Sequence, residues 1–509
     1  MERLNIALIH LDVRHADPER NRAELLRLNR DAASCGAQII VNTEMAVSGY
    51  SFRSPEEVLP FAETKQGTTL QALARIARDA GCYIVLGYAE IEPETGILYN
   101  SAAVLGPDGE LLLNYRKVTA EARWACPGSP LQDNIIETPW GSVALLICSD
   151  TYYALLPRMS ALRGADLFIV TANWPGGSLD PREIWQVRAF ENGSSLVACN
   201  RTGNDRSMEC FEAFSCAYDS AGNVLIETSS PCSAICHVEL PLVGGRLVTL
   251  RERHLSARIP SRYRPIYLDM RYAADMTLYH GLPAPEALAV RCLPGGSADM
   301  QRLLSEREKT EDALVVLPLL HTEDAEGLVH MISVSSQMLG SAICFGIGEP
   351  RETLRLVCCL PDGTQRERHP GHDDFMLVDL DHARIALVSK EELLHPEAAT
   401  ALAKQGCDIA VVPALHLDRL ERAVLGSRSI EQLAIAACGA NVSFVCMPPV
   451  EHYRWEEKYE EAPEGAVFVV DIEKLRKKHF FDRVDYRLLL QQPEAGACCS
   501  DTPKTVAKS

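Results

Sequence analysis

The sequence predicts an α/β protein built from two layered domains in tandem, and three observations lead to this fold class. Short apolar strands alternate with amphipathic helices over about the first 275 residues, as in layered α/β domains. The same succession of motifs returns later in the chain. A length of 509 residues is also more than one hydrophobic core usually serves. We therefore expect one domain over residues 1–280, a second over residues 285–490 and a disordered tail over residues 491–509.

The elements of the first domain begin with a strand over residues 4–9. A helix then starts at Asp17 and Pro18, a capping residue followed by proline at the first helical position, and ends near residue 36. Asp108-Gly109 and the segment 219–223 predict tight turns between strands. The side chains expected on the buried face of the helix are Ala23, Leu26 and Ala33. Further strands are predicted over residues 38–41, 83–88, 101–105, 142–147, 167–171 and 195–199.

The second domain is predicted from an internal repeat. Residues 81–87 are echoed by residues 340–346, and the Pro-Asp-Gly at 107–109 by the Pro-Asp-Gly at 361–363. Residues 143–174 align without a gap with residues 385–416. Several matches in the same order, spread over more than 200 residues, indicate duplication of a whole domain rather than a solenoid.

Three polar residues of the first domain stand at or near the ends of predicted strands. Glu44 follows the apolar run 39–41, Lys117 ends a Tyr-Arg-Lys sequence, and Cys148 follows the apolar run 143–147. A thiolate nucleophile, a carboxylate base and a cation that stabilises an oxyanion make up a complete covalent mechanism. The three residues together therefore predict a cysteine-dependent enzyme that cleaves a carbonyl–nitrogen bond.

The second domain keeps none of these groups. In the repeat, Cys148 falls on Lys390, Glu44 falls on Leu320 and Lys117 falls on Gly371. We expect a catalytically inactive second domain. A non-catalytic scaffold made of two such domains is the alternative from a different class, and against it stands the retention of all three reactive residues in the first copy.

Composition excludes several kinds of partner. A formal net charge of −19 argues against nucleic acid or an anionic membrane as the main partner. No segment approaches about 18 uninterrupted apolar residues, so we expect no membrane span, and a cytoplasmic location is the default. The 18 cysteines are interpreted as reduced thiols, and their spacing predicts no metal site.

The segments around Glu44, Lys117 and Cys148 resemble those of the nitrilase superfamily of carbon–nitrogen hydrolases over about residues 4–267. The resemblance lies in a Glu before Gly-Tyr, in Tyr-Arg-Lys and in Ile-Cys-x-Asp. Further matching stretches are Gly-Ala-Asp at 164–166, Arg-Ala-Phe-Glu-Asn at 188–192, Asn-Arg-Thr-Gly at 200–203 and Arg-Tyr-Arg-Pro at 262–265. Each motif alone is weak, but the ordered set is specific.

The resemblance implies two tandem four-layer α-β-β-α sandwiches that pack as a pseudo-dimer within one chain, with further homo-oligomers left open. It implies Cys148 as nucleophile, Glu44 as base, Lys117 as oxyanion-binding lysine, and a thioester intermediate without metal or organic cofactor. Relatives carry a second active-site glutamate, for which Glu121 is the best match and Glu137 the alternative.

The resemblance also bears on the substrate. True nitrilases have tryptophan after the nucleophile, whereas this chain has Ser149, so a small amide or N-carbamoyl compound is favoured over a nitrile. Arg158 or Arg123 is a candidate partner for a substrate carboxylate. The residues predicted to bind substrate are Tyr50, Tyr152, Trp174 and Arg201.

Overall fold

The structure, a computed structural model, describes residues 2–272, 275–296, 313–349, 353–449, 456–460 and 465–492. The tail predicted to be disordered, apart from residues 491 and 492, lies outside the described residues. None of the described helices combines the length and the apolar character needed to cross a membrane.

The first half of the chain contains two sheets and a short β-hairpin. One sheet has the strand order β15-β14-β1-β2-β3-β4-β5, and the other has the order β13-β12-β9-β8-β7-β6. The strands are β1 (Arg3–His10), β2 (Ile39–Asn42), β3 (Tyr83–Ile91), β4 (Leu98–Leu105), β5 (Leu111–Arg116), β6 (Ile135–Thr138), β7 (Gly141–Ile147), β8 (Leu167–Thr171), β9 (Ser195–Cys199), β10 (Asn204–Asp205), β11 (Met208–Glu209), β12 (Ser215–Tyr218), β13 (Val224–Thr228), β14 (Ala234–Val243) and β15 (Arg246–Leu247).

The second half contains two six-stranded sheets. Their orders are β20-β19-β18-β17-β16-β27 and β21-β22-β23-β24-β25-β26. The strands are β16 (Ala287–Cys292), β17 (Leu314–Leu320), β18 (Ala342–Ile347), β19 (Arg355–Cys359), β20 (Gln365–Arg368), β21 (Met376–Asp379), β22 (Arg384–Leu387), β23 (Ile409–Pro413), β24 (Ala434–Cys438), β25 (Ser443–Met447), β26 (Glu456–Glu460) and β27 (Ala466–Asp471).

Helices flank the sheets, and short 3₁₀ turns join several elements. The helices are α1 (Pro18–Ser34), α2 (Pro55–Val58), α3 (Thr68–Ala80), α4 (Leu155–Leu162), α5 (Arg182–Asn192), α6 (Arg251–Ser256), α7 (Met276–His280), α8 (Ala325–Leu339), α9 (Lys390–Leu393), α10 (Pro396–Lys404), α11 (Arg419–Ser427), α12 (Ile472–Leu475) and α13 (Tyr486–Leu489). The 3₁₀ turns used below are Cys148–Thr151, Pro260–Tyr267 and Arg428–Glu431.

Alternation along the strands builds four layers in the first half. Successive strand residues point to opposite faces, so Ile6 and Leu8 of β1 face the second sheet while Ala7 and Ile9 face α1 and α3. The second sheet buries its other face under α4 and α5. The result is the nitrilase-type α-β-β-α layering that the sequence predicted for this half.

The same pairing directions recur in the second half. The parallel set β16-β17-β18 continues antiparallel into β19 and β20, as β1-β2-β3 continues into β4 and β5. The set β22-β23-β24 is bordered in the same way as β7-β8-β9. Here α8 covers one sheet, and α10 and α11 cover the other.

The two halves pack through the helices that cover their second sheets. Helix α5 contacts α11, and one buried apolar cluster contains residues of α4 together with residues of α10. The 3₁₀ turn Pro260–Tyr267 of the first half packs on α10, and α13 of the second half packs on α4. Each half therefore places its last segment on a helix of the other half.

Most predicted elements of the first half are confirmed. The strands predicted over 167–171 and 195–199 coincide with β8 and β9, and the Asp17 side chain caps α1 by accepting from the Arg20 N–H at 3.3 Å. The turn at Gly109 has φ +80°, which glycine adopts without strain.

The predicted buried face of α1 is correct only in part, since Leu26 and Ala33 are half-buried and pack on the core whereas Ala23 does not. Ala23 is exposed, and the buried stripe consists of Asn21, Leu25, Leu28, Asn29 and Ala32. Two buried asparagines lie on this stripe, where they donate to the Val47 carbonyl and to the Asn42 side chain. The prediction considered only apolar residues, so it omitted the two asparagines and placed the buried face too far around the helix.

Candidate active site

A buried polar cluster lies where the ends of β2 and β5 meet. The Lys117 Nζ lies 2.7 Å from Glu44 Oε1 and also bonds Glu121 Oε1. The Asn100 amide donates to Glu44 Oε1 at 2.7 Å and to Glu121 Oε2 at 3.0 Å. The Tyr50 hydroxyl donates to Glu121 Oε1 at 2.7 Å. One lysine thus holds two carboxylates in fixed positions out of contact with bulk water.

The two oppositely charged residues at the centre of the cluster, Glu44 and Lys117, each follow a strand. Glu44 stands two residues beyond β2, and its N–H donates to the Ala172 carbonyl at 3.4 Å, beyond the end of β8 in the facing sheet. Lys117 directly follows β5, and its N–H donates to the Asn100 carbonyl at 2.8 Å. The two facing sheets therefore determine where the two charges meet.

Cys148 begins the 3₁₀ turn that follows β7. Its φ is +44°, a left-handed value that a non-glycine residue rarely adopts and that collects at functional sites. Asp150 secures the turn, because its carboxylate accepts from the Tyr115 hydroxyl at 2.9 Å and from the Thr119 N–H at 3.0 Å. The strained backbone at Cys148 is thus held by a partner from the Lys117 side of the site.

The thiol of Cys148 is not activated by a lowered pKa. Burial raises the pKa of Cys148 well above its usual range, and the nearby Glu44 carboxylate raises it further. The thiol therefore remains protonated at rest, and a base is needed to remove its proton during attack.

The two glutamates of the cluster differ in pKa. Burial raises the pKa of Glu44, and the charge of Glu121 adds to this effect against the charge of Lys117. Burial alone would also raise the pKa of Glu121, but the charge and hydrogen bond of Lys117 outweigh it and the pKa is lowered. Burial likewise opposes the charge on Lys117, yet the two carboxylates keep its pKa well above the usual value.

One carboxylate oxygen of the cluster is unengaged. Glu44 Oε1 accepts from Lys117 and Asn100, whereas Glu44 Oε2 is buried and has no hydrogen-bond partner among the described residues. A buried carboxylate oxygen without a partner is costly unless it serves a function. This oxygen is therefore a free acceptor within the buried cluster.

A cavity of about 380 Å³ opens at Cys148. Cys148 lies in its wall, and Tyr50, Asn173 and Trp174 line it as well. Arg123, an exposed residue, also lines it. The cavity has the size of a small-molecule site and combines apolar surface with a few polar groups.

The structure brings together Glu44, Lys117, Glu121 and the cavity residues Tyr50 and Trp174, but not all predicted site residues. Glu137, the alternative to Glu121, is an exposed residue of β6 that accepts from Ser142 Oγ. It lies outside the cluster.

Tyr152 and Arg201 were predicted to bind substrate, but neither residue lines the cavity. Tyr152 is 2% exposed and packs edge-on against Tyr153, with ring centroids 5.3 Å apart. Arg201 is 1% exposed and pairs with Asp205 at 2.8 Å. Both side chains point into the protein, which strand and turn position alone did not indicate.

Arg158 was a candidate partner for a substrate carboxylate, but it does not line the cavity either. Its side chain is fully buried at the junction between the halves, 3.7 Å from the Glu397 carboxylate of the second half. Arg123 is therefore the arginine of this pair that reaches the cavity.

Sequence reasoning missed Asn100 and Asn173. Asn100 lies inside β4, where all neighbouring residues are buried, and a buried asparagine within an apolar strand was the available signal. Asn173 lines the cavity, and its backbone lowers the pKa of Cys148 against the larger effect of burial. No local pattern marks Asn173, because its contact depends on the neighbouring strand.

The corresponding positions of the second half hold no such cluster. Lys390, aligned with Cys148, pairs with Glu421 at 2.5 Å. Leu319 donates its N–H to the Ala414 carbonyl as Glu44 does to Ala172, so the residue equivalent to Glu44 is Leu319 rather than Leu320. The irregular register of β17 after Val316 accounts for the shift of one residue.

Four-layer packing, a strained cysteine at a strand end and a buried glutamate–lysine cluster together indicate a hydrolase. Comparison with known proteins agrees. The family model for carbon–nitrogen hydrolases matches residues 5–246. A nitrilase of Pyrococcus abyssi is 32% identical over 210 residues, covering 40% of this chain and 78% of the relative. The omega-amidase NIT2 of Bos taurus is 32% identical over 244 residues, covering 45% and 86%.

Two further relatives are amidases by name. An (R)-stereoselective amidase of Pseudomonas sp is 33% identical over 235 residues, covering 44% of this chain and 80% of the relative. A crystallised amidase from Nesterenkonia sp. AN1 is 26% identical, covers 47% of this chain and 93% of its own, and superposes with a TM-score of 0.42. The protein belongs to the carbon–nitrogen hydrolase family of the nitrilase superfamily.

Proposed function

We propose that the protein hydrolyses the C–N bond of a small amide or N-carbamoyl compound through a cysteine thioester and releases ammonia or an amine. The observation that carries this proposal is the unengaged Oε2 of Glu44, because it supplies a base beside a cavity whose wall contains the protonated thiol of Cys148. The amidase names of several relatives support an amide substrate.

In the first step, the Cys148 sulfur forms a bond to the substrate carbonyl carbon while its proton passes to Glu44 Oε2. The raised pKa of Glu44 suits this transfer, because it brings the base closer in strength to the thiolate. The carbonyl oxygen becomes an oxyanion, and the Lys117 ammonium stabilises it. A donor of this kind contributes about 3–4 kcal/mol to the transition state.

In the second half of the reaction, the C–N bond breaks and Glu44 returns the proton to the leaving nitrogen. The acyl group is then a thioester on Cys148. Water, deprotonated by Glu44 or Glu121, attacks the thioester carbon, and the sulfur leaves and regains a proton as Cys148 is restored. Glu121 is held ionised by Lys117, so it positions the ammonium as well as water.

The alternative substrate is a small nitrile, as the name of one relative suggests. Ser149 after the nucleophile favours the amide, because its hydroxyl bonds Thr119 Oγ1 at 2.7 Å and adds a polar group to the wall of the cavity. Arg123 at the cavity favours substrates with a carboxylate at the end remote from the scissile bond.

Ammonia release from small amides, ureido acids and nitriles tests the proposal. We expect turnover of an amide or ureido acid by the native chain and its loss in Cys148→Ala. Cys232→Ser, at an exposed cysteine, is the control and should leave turnover unchanged. Equal activity of Cys148→Ala and the native chain would remove the covalent mechanism, and the absence of any turnover would favour the non-catalytic scaffold.

We further propose that residues 285–490 are an inactive copy of the catalytic domain that takes the place of a partner subunit. The repeated strand order, the loss of the cysteine, lysine and glutamate, and the exchange of terminal segments between the halves support this pseudo-dimer.

Expression of residues 1–280 alone tests the pseudo-dimer. In the fragment, the second half no longer covers α4 and α5, and Glu191 has lost its partner Arg428. We therefore expect the fragment to aggregate or to associate with itself, and to lose activity. A soluble, monomeric and fully active fragment would contradict the proposal.

A further inference from the structure

A second cleft lies at the junction between the halves, away from the catalytic cavity. Its volume is about 560 Å³, which exceeds that of the catalytic cavity. One wall comes from the first half, from α5, α6 and the turn Pro260–Tyr267, and the other comes from residues 369–375 and α9 of the second half. The cleft exists only because the two halves are joined.

The walls of the cleft are largely apolar. Phe190, Tyr263 and Leu250 face it from the first half, and Phe375 and Leu394 face it from the second. Apolar surface that lines an open cleft is suited to bind an apolar or aromatic group of a ligand.

The charged side chains at the cleft are three arginines, Arg253, Arg262 and Arg368, against two glutamates, Glu391 and Glu392, in a chain whose net charge is −19. Arg262 pairs with Glu392 at 3.0 Å, and the same carboxylate pairs with Arg368 at 2.6 Å. One carboxylate is thus shared by two guanidinium groups. The remaining charged residues of the lining are Glu391 and Arg253, and four histidines also line the cleft, His254, His369, His372 and His395.

His395 is the buried polar end of the cleft. It is 3% exposed, and its Nδ1 has no hydrogen-bond partner in the described part of the chain. Burial lowers the pKa of His395 well below its usual range, and the buried Arg158, Arg258 and Arg428 lower it further. A neutral imidazole at this place has a free nitrogen within a field of positive charge.

The repeat explains why the space is open. His395 aligns with Tyr153, and Tyr153 is covered by Phe481, whose ring stacks on it with centroids 4.1 Å apart. The Arg483 guanidinium beside it donates to the Val118 carbonyl at 3.3 Å. The last segment of the second half therefore fills this space on the catalytic side, whereas the cleft remains at His395.

We propose that the junction cleft binds a small organic anion, a carboxylate or phosphate monoester with an apolar or aromatic body. The anionic head lies toward His395 and Arg262, and the body packs between Phe190 and Phe375. The ligand contacts both halves, so it binds the joined chain and not either half alone.

Isothermal titration calorimetry of the full chain with phenyl phosphate, 3-phenylpropanoate and inorganic phosphate tests the proposal. We expect one molecule of phenyl phosphate or 3-phenylpropanoate per chain. Inorganic phosphate should bind at least about tenfold more weakly, because it buries no apolar surface. Equal binding of inorganic phosphate would overturn the assignment of the apolar walls.

Two variants locate the binding. Ala257 is an exposed residue of the cleft wall, so Ala257→Trp fills the cleft without changing the core and should weaken binding at least about tenfold. Ala23→Trp, at an exposed position of α1, is the matched control and should bind as the native chain does. Binding of the organic anions that survives Ala257→Trp, or no binding at millimolar concentration, would overturn the proposal.

Discussion

Glu191 of the first half and Arg428 of the second form an ion pair whose two side chains are fully buried at the junction. Arg188 of the same helix as Glu191 bonds the other carboxylate oxygen at 2.6 Å. Burial alone would raise the pKa of Glu191, but the charges of these arginines outweigh it, and the pKa is lowered. Arg188 also donates to the carbonyls of Thr151 and Tyr152. The junction is therefore bonded directly to the turn that begins at Cys148.

Arg428→Met should destabilise the folded chain by about 3–5 kcal/mol, because it leaves a buried carboxylate with part of its charge uncompensated. Urea-induced unfolding measures this change. Arg3→Met is the control, since Arg3 pairs with Glu239 where both side chains are more than half exposed, and it should cost about 0–1 kcal/mol. Equal costs for the two variants would mean that the junction pair adds no more than a surface pair.

Glu121→Gln should lower kcat for amide hydrolysis by about 10²–10³, because the change removes the charge that holds Lys117 and Tyr50. Steady-state kinetics measures the effect. Glu137→Gln is the matched control on the exposed β6 and should leave kcat unchanged. If the two variants were equally active, Glu121 would have no part in the reaction.

The pH dependence of kcat/KM should report the protonation of Glu44. The base acts only when unprotonated, so activity falls as the pH drops through the pKa of Glu44, and burial places this acidic limb above the usual glutamate range. Asn100→Leu removes a hydrogen bond that lowers the pKa of Glu44, so it should move the limb to higher pH. Asn134→Leu, at a buried asparagine bonded to Ser160, should not move it. An unchanged limb in Asn100→Leu would argue against Glu44 as the base.

Arg123→Gln should raise KM about tenfold for amides that carry a carboxylate and leave KM unchanged for neutral amides, because Arg123 reaches the cavity from an exposed position. Kinetics with a matched pair of substrates measures the difference. Arg75→Gln, on the exposed side of α3, should affect neither substrate. An equal change in KM for both substrates would show that Arg123 shapes the cavity rather than recognises charge.

Much of the fold was open to prediction because it depends on local patterns. Short apolar runs placed β8 and β9 to the residue, and Asp17-Pro18 located the start of α1. The buried face of α1 was not predictable in this way. It includes Asn21 and Asn29, whose burial depends on hydrogen bonds to residues that are distant along the chain.

The sequence by itself determined the layered α/β class of the first half and singled out the candidate residues of the site there. Glu44, Lys117 and Cys148 follow strands of facing sheets, so their meeting follows from the fold class, and Lys390 excludes a thiolate at the position of the second half that aligns with Cys148. Only the tertiary structure decided between Glu121 and Glu137, added Asn100, and removed Tyr152, Arg158 and Arg201 from the substrate site. These outcomes depend on side-chain direction and on contacts between separate segments of the chain, from 21 to 236 residues apart, which no local spacing encodes. The junction cleft at His395 was likewise not predictable from the sequence, because it arises only where the two halves pack together.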